Sequence, residues 1–439
     1  MGKQFLAITA KEEVTRNIAE LSTKLAKRIV AETESVRIDR YEALGRIVAR
    51  DMYSPHDIPP FDRATMDGYA VVASNTFYAA EDNPAALRVK CSIPAGEFPS
   101  QSIEQGSCTG ISTGAVIPKG ADAVVKVENT VEEDVAATVR TVKIYKPVAP
   151  GENIMLAGSD IKRGERIVNK GTILTPRETG VLAACGLNEV VARKKPIVAV
   201  ISTGNEIVTP GETLTPGKIY DVNTQTLCDS VRDNGCIPVS LGITRDNIKE
   251  MAGKIRESLN EGADVIILSG GTSAGAGDVL PNVIEELGEI IVHGVDIKPG
   301  KPFVFGMCRE KSVPVFGLPG NPTSALITFN LFVAPLLRTI SGVSLQSDYD
   351  KGEITRAKAA VRIFSEPGRN EYVLVNLERA GKNFVVYPIL TGSGAITTLS
   401  KAEGYVFMAK GKEILEEGEE VVVELLTKPV SFGKRGAFT

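Results

Sequence analysis

The sequence is poor in side chains that ligate soft metals. It has two histidines, His56 and His293, and six cysteines (Cys91, Cys108, Cys185, Cys228, Cys236, Cys308) with no Cys-x-x-Cys pair. That scatter argues against a soft-metal site and for buried thiols. There is no Gly-Lys-[Ser/Thr] anywhere, so no P-loop. A dinucleotide fingerprint starting at Gly275 fails, because Leu280 stands where a glycine is needed. Lys and Arg number 50 against 54 Asp and Glu, a net charge of −4, so no basic excess advertises nucleic acid. Residues 312–337 are uncharged, but four prolines and two asparagines interrupt them, and no membrane span is expected there. The first residues meet charge too early for a secretory leader, and Leu6 stands where a myristoylation signal has Ser or Thr. A cytoplasmic chain is expected.

What is present is a globular composition: 439 residues, 43% hydrophobic and 24% charged, enough for about two to four domains. Val14, Ile18, Leu21, Leu25 and Ile29 keep a helical period, which predicts an amphipathic helix over 10–31, and a second short helix is expected over 40–49. Residues 73–147 turn to short alternating segments punctuated by Gly and Pro, the pattern of a small β domain. A helix is expected near 176–185. From residue 194 apolar strands without alternation ("PIVAVIST", "DVIILSG", "PVFGLPG") alternate with helices at 223–234, 246–260, 278–287 and 322–340. This predicts a doubly wound α/β domain with a buried parallel sheet. Alternating strands return after 345. The expected fold class is multidomain α/β and β. A central doubly wound domain (193–341) is flanked by a helix-containing, discontinuous first domain (1–72 plus 148–192), an inserted β domain (73–147) and a C-terminal, barrel-like β domain (342–430).

In an open α/β sheet, ligands sit beyond the carboxyl ends of the strands. Three turns fall there: Ser202 to Ile207 ("STGNEI", with Gly204, Asn205 and Glu206), Ile267 to Asp278 ("ILSGGTSAGAGD"), and Leu318 to Ala325 ("LPGNPTSA"). Glycine turns and helix N-termini present N–H groups to anions, so an extended, phosphate-bearing ligand is expected. Glu206 and Asp278 follow neighbouring strands and could share one Mg²⁺. The competing reading of Asp278 is an N-cap for the helix that follows. In "IKPGKP", Lys298 and Lys301 flank a Pro-Gly turn that would aim an ammonium at an oxyanion, although a solvated pair is the default for two lysines.

Eight motifs in order, "FDRATMDGYAV", "ISTGAVIPKGADAVV", "GENIMLAGSDI", "VISTGNEI", "IYDVN", "ILSGGTSAGAGD", "IKPGKPFVFG" and "GLPGNPTSA", resemble the molybdopterin molybdenumtransferases, the carboxyl-terminal part of gephyrin among them. The resemblance spans about residues 10 to 425. It implies insertion of molybdate into adenylylated molybdopterin with release of AMP, assisted by Mg²⁺. It implies a homodimer with the site at the subunit interface and a molybdopterin adenylyltransferase as functional partner; no nucleic acid or membrane partner is expected. By the same resemblance the catalytic residues are Asp67, Thr113, Asp160, Glu206, Asp278 and Lys298, with Glu206 and Asp278 on the metal. Gly204, Asn205, Gly270, Gly271, Thr272, Ser273, Gly275, Lys301, Pro319, Gly320, Asn321, Pro322 and Ser393 would hold the ligand. Lys298 and Lys301 correspond to the pair that holds molybdate. Many members carry an acid where Ala276 stands and a lysine where Gly294 stands. Two rivals are an adenylyltransferase, which would not need the flanking β domains, and a scaffold, which would show no turnover. Tungstate matches molybdate in size and charge, so tungsten-cofactor synthesis is the alternative outcome.

Overall fold

A computed structural model describes residues 8–32, 35–136, 139–272, 279–342, 354–381, 383–390 and 394–426. The chain divides into two units, residues 35–192 and residues 1–34 with 193–439.

In the first unit a six-stranded sheet runs in the order Ala123–Lys126, Gly68–Val71, Ser107–Ile111, Ala85–Ile93, Val139–Ile144, Thr130–Ala136. Only the pair of Ala85–Ile93 with Ser107–Ile111 is parallel. The period-2 alternation sorts side chains to two faces. Tyr69, Val71 and Val125 enter one apolar cluster, while Ala70 and Val124 enter another. The rest of the unit packs around Ile38, Val48, Leu174, Leu182 and Val190. Its helix, Pro176–Ala184, starts with Pro176 in the first turn and a reciprocal cap between Thr175 and Glu178.

The helix expected over 40–49 does not form. A single 3₁₀ turn, Arg40–Glu42, is capped by the Asp39 carboxylate, which accepts the Tyr41 amide at 2.8 Å. Gly45 then takes φ +72°. The following amides bond sideways instead of along a helix: Gly45 to Leu174 O at 2.8 Å, Val48 to Thr172 O at 3.0 Å, Ala49 to Val191 O at 2.8 Å. Tertiary pairing overrides local propensity here.

In the second unit, helix Lys11–Glu32 buries Val14, Ile18, Leu25 and Ile29 in one cluster with Leu336, Leu337 and Ile340 of helix Ala334–Ser341. Each such side chain contributes about 1.5–3 kcal/mol by leaving water. The helix therefore packs on the α/β core, whereas the sequence boundaries grouped it with residues 35–72. The six-stranded α/β sheet runs Ile237–Thr244, Ile197–Thr203, Val265–Ser269, Pro314–Leu318, Val304–Cys308, Gly288–His293. The first four are parallel; Val304–Cys308 runs against both neighbours. Val198 and Val200 face the cluster that includes Leu227 and Phe332; Ala199 and Ile201 face Met251, Ile255 and Val283. Burial on both faces is why these strands show no alternation. The helices observed are Asn223–Asp233, Ile248–Asn260, Val279–Leu287 and the run Pro322–Ser341. That last run is long and apolar enough to cross a membrane by composition, but 67% of its apolar window is buried within the protein. "EIIVHGVDI" is two strands: Gly288–His293 stays in the sheet, and Ile297–Lys298 leaves it. Val304–Cys308, unassigned from the sequence, is the hairpin strand between them and Pro314–Leu318.

The last domain is a closed five-stranded barrel of Ile354–Ala359, Asn370–Ala380, Asn383–Pro388, Gly404–Met408 and Glu420–Leu425. Closure comes from Glu371 to Val375 pairing with Met408 to Gly404. Val375, Val386, Val406 and Val423 fill its interior. Ile297–Lys298 adds to it as a parallel strand, opposite Asn370 and Glu371.

Candidate active site

The parallel strands bring three turns to one edge. Ser202 pairs with Ser269, and Ser269 with Leu318, so Thr203, Gly270 and Pro319 follow at the same level, with Gly204 one residue further on. Gly270, at φ +104°, passes so close to the neighbouring strand that a Cβ would lie 2.1 Å from Thr203 O. Only glycine fits there. A Cβ on Gly320 would lie 3.7 Å from Gly270 Cα, so the second and third turns abut. Buried Asn223 ties them together: its Nδ2 donates to Ser269 Oγ at 2.8 Å and to Gly320 O at 2.7 Å. Two glycine amides are already engaged, Gly204 N with Thr244 O at 3.2 Å and Gly270 N with Leu318 O at 3.1 Å. Those two groups hold the turns in place and do not serve an anion.

Glu206 is exposed, and its carboxylate folds back over Gly204, 2.9 Å from where a Cβ would stand. The loop beneath it is held by Lys218, whose ammonium donates to Asn205 O, and by Ile219 N, which donates to Glu206 O at 2.9 Å. A third acid, passed over in the sequence, follows strand Ile237–Thr244 in the same way. Exposed Asp246 accepts Thr203 Oγ1 at 2.6 Å and lies beside Gly271. The rule that singled out Glu206, the first acid after a strand of the sheet, would have found it. Asp221 of "IYDVN" is different: it is buried and accepts Ser202 Oγ at 2.9 Å and, from the first turn of helix Asn223–Asp233, Thr224 N at 3.1 Å. Among the described residues the exposed acids at this edge, Glu206 and Asp246, offer oxygens, a donor type suited to a hard dication such as Mg²⁺. Among the described residues no three acids, histidines or cysteines form a metal cluster. The cysteines are thiols, five of them buried.

Gly300 packs the Pro-Gly turn of "IKPGKP" onto helix Pro322–Thr328, with a Cβ position 2.5 Å from Thr328 Cγ2. Half-buried Lys301 lies in that turn, and its carbonyl accepts Val295 N at 3.0 Å. Lys298 is paired with barrel acids: Nζ is 2.8 Å from Glu366 Oε1 and 2.9 Å from Glu371 Oε1. Burial would lower the Lys298 pKa, but the hydrogen bonds and charges of Glu366 and Glu371 outweigh it and raise the value above 10.5. For Glu371, burial pushes upward, while the Glu366 amide, Lys298 and Ser365 pull the pKa below its ordinary 4.5. Gly394 of the last domain stands by the Pro319–Pro322 turn, a Cβ on it lying 3.8 Å from Asn321 Oδ1. Ser273, Gly275, Ala276, Asp278 and Ser393 lie outside the described residues.

In the unit 35–192 the remaining candidates share one strip. Residues 57–68 run between two other motifs: Ala64 exchanges backbone bonds with Ala115 and Gly114, and Arg63 and Ala64 pair with Met155 and Ile154. The exposed Asp67 carboxylate accepts the Thr113 amide at 2.8 Å, so these two residues meet. Exposed Asp160 is placed on the same strip by its amide, which donates to Ile58 O at 3.1 Å.

Fold and edge define the class: a multidomain protein whose doubly wound sheet gathers three turns at the carboxyl ends of its strands, the place where such sheets take ligands. Three family models match in order, the MoeA N-terminal region (domain I and II) over 9–186, a probable molybdopterin binding domain over 199–339, and the MoeA C-terminal region (domain IV) over 356–426. A molybdopterin molybdenumtransferase of Haemophilus influenzae is 32% identical over 405 residues, covering 92% of this chain and 96% of that protein. One from Nostoc is 30% identical over 422 residues, covering 93% of this chain and 92% of that protein. A crystal structure of a molybdopterin biosynthesis MoeA protein from Pyrococcus horikoshii is similar at 40% identity and TM-score 0.78 (96% of this chain, 100% of that one), and a crystal structure of a MoeA protein from Pyrococcus horikoshii OT3 at 31% and 0.69 (92% and 99%). The chain belongs to the MoeA family, the molybdopterin molybdenumtransferases.

Proposed function

We propose that this protein inserts molybdate into adenylylated molybdopterin and releases AMP. The meeting of the Gly204, Gly270 and Gly320 turns under an exposed Glu206 supports that reading most directly. Breaking a phosphoric anhydride needs charge neutralisation and positioning more than covalent catalysis. The glycine turns let the pterin phosphate approach the backbone, and the Pro319–Pro322 turn with Asn321 bounds it. Glu206 and Asp278 would hold Mg²⁺, with Asp246 alongside Glu206. When bound, Mg²⁺ neutralises charge on the pyrophosphate. Lys298 and Lys301 hold the oxyanion. An incoming oxygen forms a bond to the adenylyl phosphorus, the anhydride P–O bond breaks, AMP leaves with the new oxygen, and the phosphate stays on the pterin.

Asp67, Thr113 and Asp160 would complete the site from the second subunit of a homodimer. The protein would work in the cytoplasm beside the adenylyltransferase that makes its substrate. The test is AMP release and metal content of the pterin product after supplying adenylylated molybdopterin, Mg²⁺ and equimolar molybdate and tungstate. No AMP release with either oxyanion overturns the reading. A tungsten-loaded product instead of a molybdenum-loaded one changes the cargo and keeps the chemistry.

A further inference from the structure

Lys298 stands in a short strand that has left the α/β sheet for the barrel, directly opposite Glu371. Its ammonium meets two carboxylates, Glu366 at 2.8 Å and Glu371 at 2.9 Å. One positive charge is thus enclosed by two negative ones, a trio that repels any dianion.

The two acids are not alike. The Glu371 side chain is 13% exposed, and its Oε2 accepts Ser365 Oγ at 2.9 Å and the Glu366 amide at 2.9 Å. Glu366 reaches Lys298 from an exposed loop, and its side chain is 59% exposed. Parting Lys298 from Glu371 would strand a largely buried carboxylate, which is costly. Parting it from Glu366 returns that carboxylate to water, and an exposed pair holds only weakly.

We propose that Glu366 is a stand-in anion on Lys298, displaced when a tetrahedral metal oxyanion binds, while Glu371 remains paired and aims the ammonium. This rests on the reading of Lys298 as an oxyanion-holding residue. Glu371 is then a positioning residue, and Glu366 is a competitor that keeps the lysine from capturing other anions weakly. The raised pKa of Lys298 agrees with the geometry: with both carboxylates in place the lysine is held charged.

The test compares Glu366→Gln, Glu371→Gln and Lys298→Gln in the full-length protein, each first checked to be fully folded at the assay temperature. AMP release is measured at varied molybdate, and molybdate binding alone by titration calorimetry. Glu366→Gln should lower the molybdate KM and Kd about two- to fivefold, or about 0.4–1 kcal/mol, with kcat held within twofold. Glu371→Gln should raise both constants. An unchanged or raised KM in Glu366→Gln overturns the stand-in role. If Lys298→Gln raises the KM while Glu366→Gln leaves it alone, the lysine reading stands and only this inference fails. If Lys298→Gln leaves the KM unchanged, the lysine reading fails and the inference falls with it. A Glu371→Gln protein that melts early is replaced by Ser365→Ala, which removes one bond to the same carboxylate and should raise the KM in the same direction.

Discussion

Asn223 Nδ2 donates to Gly320 O at 2.7 Å, across 97 residues of chain. With its second hydrogen on Ser269 Oγ, one buried amide fixes the end of a strand to the turn that opens helix Pro322–Thr328. Asn223→Ala should lose about 1–3 kcal/mol of stability, since buried groups are left unpaired. It should also cut AMP release at least tenfold by loosening the turn. The urea midpoint and kcat/KM check this; a variant with wild-type turnover would show that the Gly320 turn is not part of the site.

Gly270→Ala places a methyl 2.1 Å from Thr203 O at φ +104°, and should cost about 3 kcal/mol or more. Gly106 has φ +77° but nothing within 4 Å of its would-be Cβ. Gly106→Ala should therefore cost only about 1 kcal/mol. Equal melting shifts for the two variants would contradict the close approach.

Glu206→Gln and Asp246→Asn change exposed carboxylates and should leave the melting temperature within about 2 °C. Glu206→Gln should lower AMP release about 10²-fold and raise the Mg²⁺ concentration needed for half-maximal rate. Asp246→Asn should raise that Mg²⁺ requirement too. Unaltered Mg²⁺ dependence in both would remove these acids from the cation's site. Asp278→Ala that folds and keeps full AMP release would do the same for Asp278.

The folded pKa of Glu371 lies below its ordinary 4.5, so its stabilising contribution is present above pH 4.5 and is lost as pH falls through the folded value. Lys298 behaves in the opposite sense: its contribution is present below 10.5 and is lost as pH rises through the raised value. Wild-type stability should fall on acidification below about pH 4.5. Glu371→Gln should be less stable at pH 7 and show a shallower fall. Urea midpoints from pH 7 to pH 3.5 measure the difference; parallel curves would remove the carboxylate's role.

The α/β layers were legible because "PIVAVIST" and "DVIILSG" are apolar on both faces, and the sheet sends Val198 and Ala199 to opposite cores. Helix Lys11–Glu32 was legible from the spacing of Val14, Ile18, Leu25 and Ile29. A barrel-like last domain was expected from its alternating strands, but the pairing that closes it was not, because it depends on Glu371 meeting Met408, a register no local pattern encodes. The same distance in sequence hid the pairing of Lys298 with Glu366 and Glu371. Residues 40–49 looked helical because their amide partners, Leu174, Thr172 and Val191, lie more than a hundred residues on.

The strand Ile297–Lys298 has a consequence for synthesis. Its backbone partners begin at Asn370, about 70 residues later. At about 5–20 residues per second, a ribosome delivers that partner some 4–15 s after Lys298. Tyr372 and Tyr405 of the barrel also enter the core that holds Phe303 and Phe332. The α/β half of a nascent chain therefore waits with an apolar face uncovered until the barrel has emerged. A truncation after residue 342 would make that waiting state permanent, and such a fragment should depend on chaperones or aggregate.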